Sequence, residues 1–295
     1  MISILIPTYN YNAFPLVSIL HEQLENEKAA YEIICLDDGS VDFHIENQQI
    51  NSLQNCVYEI LEHNIGRSAI RNLLAKRARF DHLLFLDSDT IPAKGTFISD
   101  YLSQINSQEK AVYGGVRYQD QKPSEALILR WKYGRSRESL PASQRTKNQY
   151  LSFLTNCFLI NKTVFEQVRF NENLKNWGHE DTLFSYTLKE KKIKIQHIEN
   201  PVFHEGLDDA NVFLSKTEDA VKGLLYLTEN GLLDKKYVRL SEASAKLKKL
   251  GLQSVYAALF SAVKPLFLRQ LKGRKPSLLL FDFYRLGLIC KLNSK

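Results

Sequence analysis

The chain has 295 residues, 44% of them apolar and 24% charged, with a formal net charge of +6. This excludes a disordered, collagenous or disulfide-scaffold protein and leaves room for one large or two modest globular domains. No uncharged apolar run approaches about 18 residues, so no transmembrane helix is expected.

Ile2 to Ile6 reads as a short β-branched strand that Pro7 ends, with Thr8-Tyr9-Asn10 as a polar loop behind it. Phe14 to Leu24 carries Leu16, Val17, Leu20 and Leu24 at helical spacing. Tyr31 to Leu36 is a second strand, ending in Asp37-Asp38-Gly39-Ser40, and residues 41–54 read as weakly helical. Val57 to Leu61 is a third strand, followed by Asn64-Ile65-Gly66 and a helix from Ser68 to about Arg79 bearing Arg71 and Asn72. His82 to Leu86 is a fourth, followed by Asp87-Ser88-Asp89. Strands alternating with helices predict a parallel, doubly wound sheet, whose ligands sit at the carboxyl ends of the strands. All four polar clusters lie at such ends.

Ala111 to Val116 is expected as another strand, 119–149 as a partly mobile insertion, and Leu151 to Ile160 as a strand carrying Asn156 and Cys157. Asn161 to Val168 is a short helix, and Trp177-Gly178-His179-Glu180-Asp181 opens another through Lys191. Ile193 to Ile198 and Pro201 to His204 are strands. From about 211 the pattern is helical, with breaks expected at Gly231, Gly251 and Pro265. The predicted division is a catalytic domain over 1–210 and a helical, basic region over 211–295.

Asp87 and Asp89 point the same way if the extended backbone persists through Ser88. Two like charges there call for a cation, and a divalent metal is the usual one. Read alone, this triplet is equally a solvated loop. Asp181 and Glu180 are equally first-turn charges that favour the helix dipole, and His204 is equally a structural histidine. Cys35, Cys56, Cys157 and Cys290 form no C-x-x-C pair and read as reduced thiols of a cytosolic protein; the first residues carry no signal-peptide pattern.

Taken together, Pro7-Thr8-Tyr9-Asn10, Asp37-Asp38-Gly39-Ser40, Asn64-x-Gly66 with Arg71-Asn72, Asp87-Ser88-Asp89 and Trp177-Gly178-His179-Glu180-Asp181 resemble the family 2 glycosyltransferases of the GT-A fold over about residues 1–205. The resemblance implies an α/β, Rossmann-like nucleotide-sugar-binding sheet with a helical C-terminal extension. It implies an inverting transfer from a UDP-sugar, or less typically a GDP- or dTDP-sugar, to a hydroxyl of a glycan or lipid-linked glycan in envelope or capsule polysaccharide synthesis. Pro7, Thr8, Tyr9, Asp37, Asp38, Asn64, Gly66, Arg71, Asp87 and Ser88 would form the nucleotide-sugar site. Asp89, with His204, would hold Mn2+ or Mg2+. Asp181 would be the general base, with Glu180 beside it at the acceptor. His179 departs from the Gly often found before Glu-Asp in polymerising relatives. Asp38, Asp89 and Asp181 are expected to converge on one cleft.

Two rivals are weighed against this reading. A nucleotidyltransferase would carry a Gly-rich, basic loop after its first strand, where this chain has Pro7-Thr8-Tyr9-Asn10. A non-catalytic nucleotide-sugar-binding protein would have no need of both Asp89 and Asp181. The acidic body lacks interleaved aromatic and basic residues, so no nucleic-acid partner is expected. Residues 231–295 carry 14 Lys or Arg against 3 Asp or Glu, whereas 1–230 carry 25 against 30. With Val255, Leu259, Val263, Leu266 and Phe267 among Lys264, Arg269 and Lys272, the segment 254–295 resembles an interfacial amphipathic helix at the inner face of the plasma membrane. Equally, these helices pack on the catalytic domain or form a dimer contact.

Overall fold

The structure is a computed structural model and describes residues 1–106, 109–174 and 178–293. Trp177, part of the predicted motif, lies outside the described residues. In chain order the first elements are β1 (Ile2–Thr8), α1 (Phe14–Glu25), β2 (Tyr31–Asp37), α2 (His44–Gln48), β3 (Cys56–Ile60), α3 (Arg67–Arg77), β4 (His82–Leu86) and β5 (Thr90–Pro92). Then come α4 (Phe97–Leu102), β6 (Lys110–Tyr113), β7 (Val116–Arg117), α5 (Ile128–Tyr133), α6 (Ala142–Arg145), β8 (Cys157–Asn161) and α7 (Lys162–Val168). The remainder is α8 (Glu180–Glu190), β9 (Lys194–His197), β10 (Val202–His204), α9 (Ala210–Glu229), α10 (Arg239–Lys249), α11 (Gln253–Leu271) and α12 (Leu278–Asn293).

The described strands form a seven-stranded sheet, β3-β2-β1-β4-β8-β6-β9, and a three-stranded sheet, β5-β10-β7. β1 to β4 are mutually parallel, as their alternation with helices predicts. β8 runs antiparallel to both β4 and β6, so the large sheet is mixed. Because β1 to β4 are parallel and β8 is antiparallel to β4, the carboxyl ends of β1 to β4 and the amino end of β8 lie at one edge. Contacts group the chain into two units. The first holds Met1–Gln119, Glu138–Asn173 and Phe184–Gly206; the second holds Asp120–Arg137, Leu174–Leu183 and Leu207–Lys295.

The first unit is closed behind β4 and β8 by stacked phenylalanines. Phe85 stacks on Phe158 at 4.8 Å and on Phe165 at 5.2 Å, and Phe170 stacks on Phe184 at 4.4 Å. In the second unit Phe213 of α9 stacks on Phe281 of α12 at 5.4 Å. Glu218 of α9 accepts from the Tyr284 hydroxyl at 2.7 Å and from Lys264 of α11 at 2.8 Å. No single described helix is long and apolar enough to cross a membrane.

Several local expectations are corrected. The helix foreseen over 41–54 is a short α2 followed by a 3-10 turn over Gln49–Ser52. Ala111 to Val116 is not one strand: it breaks at Gly114-Gly115 into β6 and β7, which belong to different sheets. The strand foreseen from Leu151 begins only at Cys157, because the preceding residues turn. Pro265 does not break α11; it sits on an exposed side of the helix, where water can reach the Ser261 carbonyl that it leaves without a donor.

Residues 119–149 carry α5, a π-helical turn (Gly134–Glu138) and α6 where a mobile insertion was expected. Within the first unit their anchor is Arg145, which is 1% exposed. Its guanidinium donates to the carbonyls of Leu140, Tyr113, Gly114 and Ile198 at 2.8 to 3.2 Å and lies 4.8 Å from the Tyr113 ring. A buried charge is tolerated here because carbonyl dipoles surround it. Arg145 also donates to His197 Nδ1 at 3.0 Å, while His197 Nε2 donates to the Gln149 carbonyl at 2.8 Å. Burial, then the adjacent Arg145, pushes the His197 pKa down to about 4, opposed by the Gln149 hydrogen bond.

Replacing Arg145 by Met is expected to cost about 3 kcal/mol, read by urea unfolding, because four carbonyls lose their donor. Between pH 6.5 and about 4 the unfolded chain protonates His197 and the folded one does not. Stability is therefore complete above pH 6.5, falls as pH drops through that window, and levels off below it. Unfolding midpoints across the window should show a shallower fall in His197→Gln than in the parent.

Candidate functional site

The corner where β1, β2 and β3 end is built on two buried carboxylates. Asp37 is fully buried; its Oδ1 accepts from the Ser40 amide at 2.8 Å and its Oδ2 from the Tyr58 hydroxyl at 2.6 Å. Asp38 accepts from the amides of Ile65 and Gly66 at 2.7 and 3.0 Å, and so holds the loop before α3. Burial raises the Asp38 pKa, while these two amides pull it back. The loop passes so close that a Cβ on Gly39 would stand 3.0 Å from the Asn64 amide nitrogen, so only glycine fits. Thr8 is buried and donates to the Tyr11 carbonyl at 3.2 Å, whereas Tyr9 is 53% exposed. The Asn10 amide donates to Ser40 Oγ at 2.7 Å, tying the β1 loop to the β2 loop. Pro7 is half-buried, Asn64 is exposed and Ser88 is buried.

At the end of β4 the two acids part company. The Thr90 amide and hydroxyl donate to the Asp87 carbonyl at 3.2 and 2.7 Å, closing a turn over Asp87–Thr90. The extended backbone therefore does not persist through Ser88, and the expected common orientation is replaced by two different environments. Asp87 meets Arg71 of α3 at 2.5 Å. Arg71 is only 3% exposed, and its guanidinium lies 5.5 Å from the Phe170 ring. Asn72 holds that phenylalanine through both backbone groups, at 2.9 and 3.0 Å. The cation that offsets Asp87 is thus supplied by the protein.

Asp89 faces the small sheet. Its Oδ2 lies 3.6 Å from His204 Nε2, and its carbonyl accepts from the Glu205 amide at 2.9 Å. A Cβ on Gly206 would stand 2.4 Å from the same carboxylate oxygen, so the chain can approach Asp89 this closely only at a glycine. The His204 ring stacks on Tyr118 at 5.5 Å. The Tyr11 pKa is raised by burial and then by the charges of Asp89 and Glu205, which puts its hydroxyl in their field.

Among the described residues, Ser68 Oγ in the first turn of α3, Asn156 Oδ1 and His204 Nδ1 along this edge are buried without a hydrogen-bond partner. Asn156 adjoins Asp87, whose amide donates to the Asn156 carbonyl at 3.0 Å. Such atoms are rare in folded proteins and mark places where a polar ligand or water completes the bonding. Among the described residues no three His, Cys, Asp or Glu side chains are grouped to hold a metal. Asp89 and His204 make a pair. Their separation is too long for a hydrogen bond, yet two donors each about 2.1 Å from one ion can stand up to roughly 4.2 Å apart.

The second unit holds Gly178 to Asp181. His179 has φ of 68°, a left-handed backbone that glycine adopts more easily, and its Nδ1 lies 3.1 Å from Thr182 Oγ1. Burial, then Arg285, lowers its pKa to about 4, with Glu180 opposing. Glu180 and Asp181 stand in the first turn of α8, and Asp181 Oδ1 accepts from the Thr182 amide at 2.6 Å.

Of the predicted site residues, the first unit gathers Thr8, Asp38, Gly66, Arg71, Asp87, Asp89 and His204 along the strand ends; Asp37 is turned inward, and Glu180 and Asp181 belong to the second unit. Sequence reasoning missed Tyr11, Ser68, Tyr118, Glu205 and Gly206. Glu205-Gly206 directly follows His204 and was within reach. Tyr118 carried no local signal, because its stack on His204 joins residues far apart in the chain.

The family model described as Glycosyl transferase family 2 matches residues 3–169. A poly(ribitol-phosphate) beta-glucosyltransferase of Bacillus spizizenii is 38% identical over 96 residues, 30% of this chain and 14% of that protein. An uncharacterized glycosyltransferase of Haemophilus influenzae is 34% identical over 94 residues, 30% of this chain and 36% of that protein. The chain thus spans well under two thirds of the length of the curated relatives it matches. S. aureus TarS 1–349 in complex with UDP-GlcNAc superposes with a TM-score of 0.50 at 17% identity, covering 97% of this chain and 90% of that one. The mannosyltransferase PcManGT from Pyrobaculum calidifontis, in complex with GDP-Man and Mn2+, gives 0.54 at 12% identity, covering 99% and 86%. At such identities the likeness shows the fold, which is the mixed α/β GT-A arrangement with a helical C-terminal part. With the family model covering more than half of the chain, the protein belongs to glycosyl transferase family 2.

Proposed function

We propose that the protein is an inverting, metal-dependent transferase that moves a sugar from a UDP-sugar to a hydroxyl of a polymeric or lipid-linked glycan in cell-envelope synthesis. In this reading 1–210 carries the chemistry and 211–295 is a helical extension. The observation that carries it is the strand-end edge itself: Asp89 beside His204, with three buried polar atoms awaiting partners. The UDP-GlcNAc bound to TarS 1–349 and the polymer named for the Bacillus relative support the donor and acceptor classes.

The nucleotide would lie along Pro7 to Tyr9, Asp37-Asp38 and the Asn64 to Gly66 loop. Asp38 is rigidly held and keeps lone pairs for the base or ribose, while Asp37 shapes the loop from below. Arg71 fixes Asp87 through Oδ1, so that its other oxygen could accept from ribose or sugar hydroxyls, with Ser88 beside it. Ser68 and Asn156 would each meet a polar group of the donor. Asp89 and His204 would hold Mn2+ or Mg2+; a bound ion neutralises charge on a departing diphosphate, worth several kcal/mol. His204 favours manganese over magnesium, as imidazole suits the softer ion. The acceptor hydroxyl gives its proton to the Asp181 carboxylate as its oxygen bonds to the anomeric carbon and the carbon–diphosphate bond breaks on the opposite face. One such displacement inverts the centre. Glu180 would bind the acceptor.

Two outcomes test this. Melting-temperature panels of nucleotide sugars should show stabilisation by a UDP-sugar that increases with Mn2+, and Asp89→Ala should lose the Mn2+ increment together with transfer. Unchanged turnover of that variant, or of the parent in EDTA, contradicts the metal role. Asp181→Asn should lower transfer by about 10³-fold while UDP affinity stays near that of the parent. A variant with parental turnover rules Asp181 out as base.

A further inference from the structure

α11 is apolar on two opposite faces. Ala257, Phe260 and Leu271 are buried, and Phe260 meets Tyr284 of α12 edge-on at 5.7 Å. On the other side Val255, Leu259 and Leu266 are 56, 63 and 65% exposed, with Ala258 and Ala262 exposed between them. Spacings of three and four place these five on one stripe, about 17 Å long. Leu250 and Leu252, ahead of the helix, are exposed as well. The stripe differs from the one expected from sequence, since Val263 and Phe267 are half-buried. A contiguous exposed apolar patch of this kind marks an interface.

Charge selects the occupant. Lys246, Lys248 and Lys249 are exposed at the end of α10, and Lys272, Arg274 and Lys275 just beyond α11. Lys246 and Arg274 pair with Glu242 and Glu125, but in exposed pairs that water keeps weak. No acidic residue occurs between Glu242 and Asp282. A second copy seated on the stripe in either direction would set cations against cations. A surface of lipid phosphates takes both clusters at once. α10 and α11 reach the length and apolarity of a membrane span only as a pair bent by 117°. We propose that α11 lies flat in the headgroup layer of a bilayer bearing anionic lipid, with the stripe from Val255 to Leu266 inserted and the two cationic clusters on lipid phosphates. The inference stands apart from the donor chemistry.

Flotation of the full chain with vesicles of phosphatidylcholine, alone or mixed with phosphatidylglycerol, tests it. Binding is expected on the mixed vesicles, weakening as salt rises. The double variant Leu259→Gln/Leu266→Gln and the double variant Lys248→Glu/Lys249→Glu should each bind about tenfold more weakly, with parental melting temperature and UDP affinity. The charge pair serves if the leucine pair does not fold. Failure of the parent to float with phosphatidylglycerol overturns the proposal, as does parental binding by both variants. Light scattering that finds a parental dimer made monomeric by Leu259→Gln/Leu266→Gln assigns the stripe to a second copy instead.

Discussion

The pairing of Arg71 with Asp87 governs how the strand-end edge is arranged. Two carboxylates one residue apart at the end of a buried strand repel each other, and a nearly buried guanidinium removes half of that problem. Breaking such a pair would strand a charge in low dielectric. The arginine is itself supported: Phe170 lies against its guanidinium, and Asn72, the next residue, fixes Phe170 by both backbone groups. With Asp87 satisfied from within the fold, Asp89 is left to a different set of neighbours.

Those neighbours come from the small sheet. The turn over Asp87–Thr90 feeds directly into β5, and β5 pairs with β10 so that Thr90 stands opposite His204. That register brings the histidine to Asp89. Gly206 then lets the following chain press against the carboxylate. A strand of only three residues thus leads the chain from the large sheet into the small one.

The second unit has its own logic. Its helices bury Phe281 and Tyr284, stack Phe213 on Phe281 and use Glu218 to join α9, α11 and α12. Nothing in that packing calls for leucines on the outer side of α11. The apolar stripe takes no part in that packing: Val255, Leu259 and Leu266 stay exposed.

The fold class and the family were legible in the sequence, because short strands alternate with helices and each strand ends in a polar cluster whose order along the chain matches the family. Asp38, Asp89, Arg71 and His204 were named by the family resemblance, not by the strand pattern. Sequence alone was blind to partnership. It could not tell that Asp37 points at Tyr58 while Asp38 holds Gly66, since both sit at the same strand end. It could not tell that Arg71 answers Asp87, that Tyr118 stacks on His204, or that Arg145 turns an apparently loose insertion into an anchored one. Local spacing determines strands, helices and the ends where polar groups gather. Which polar group faces which is decided by sheet order and register, and those form only when distant segments close on one another.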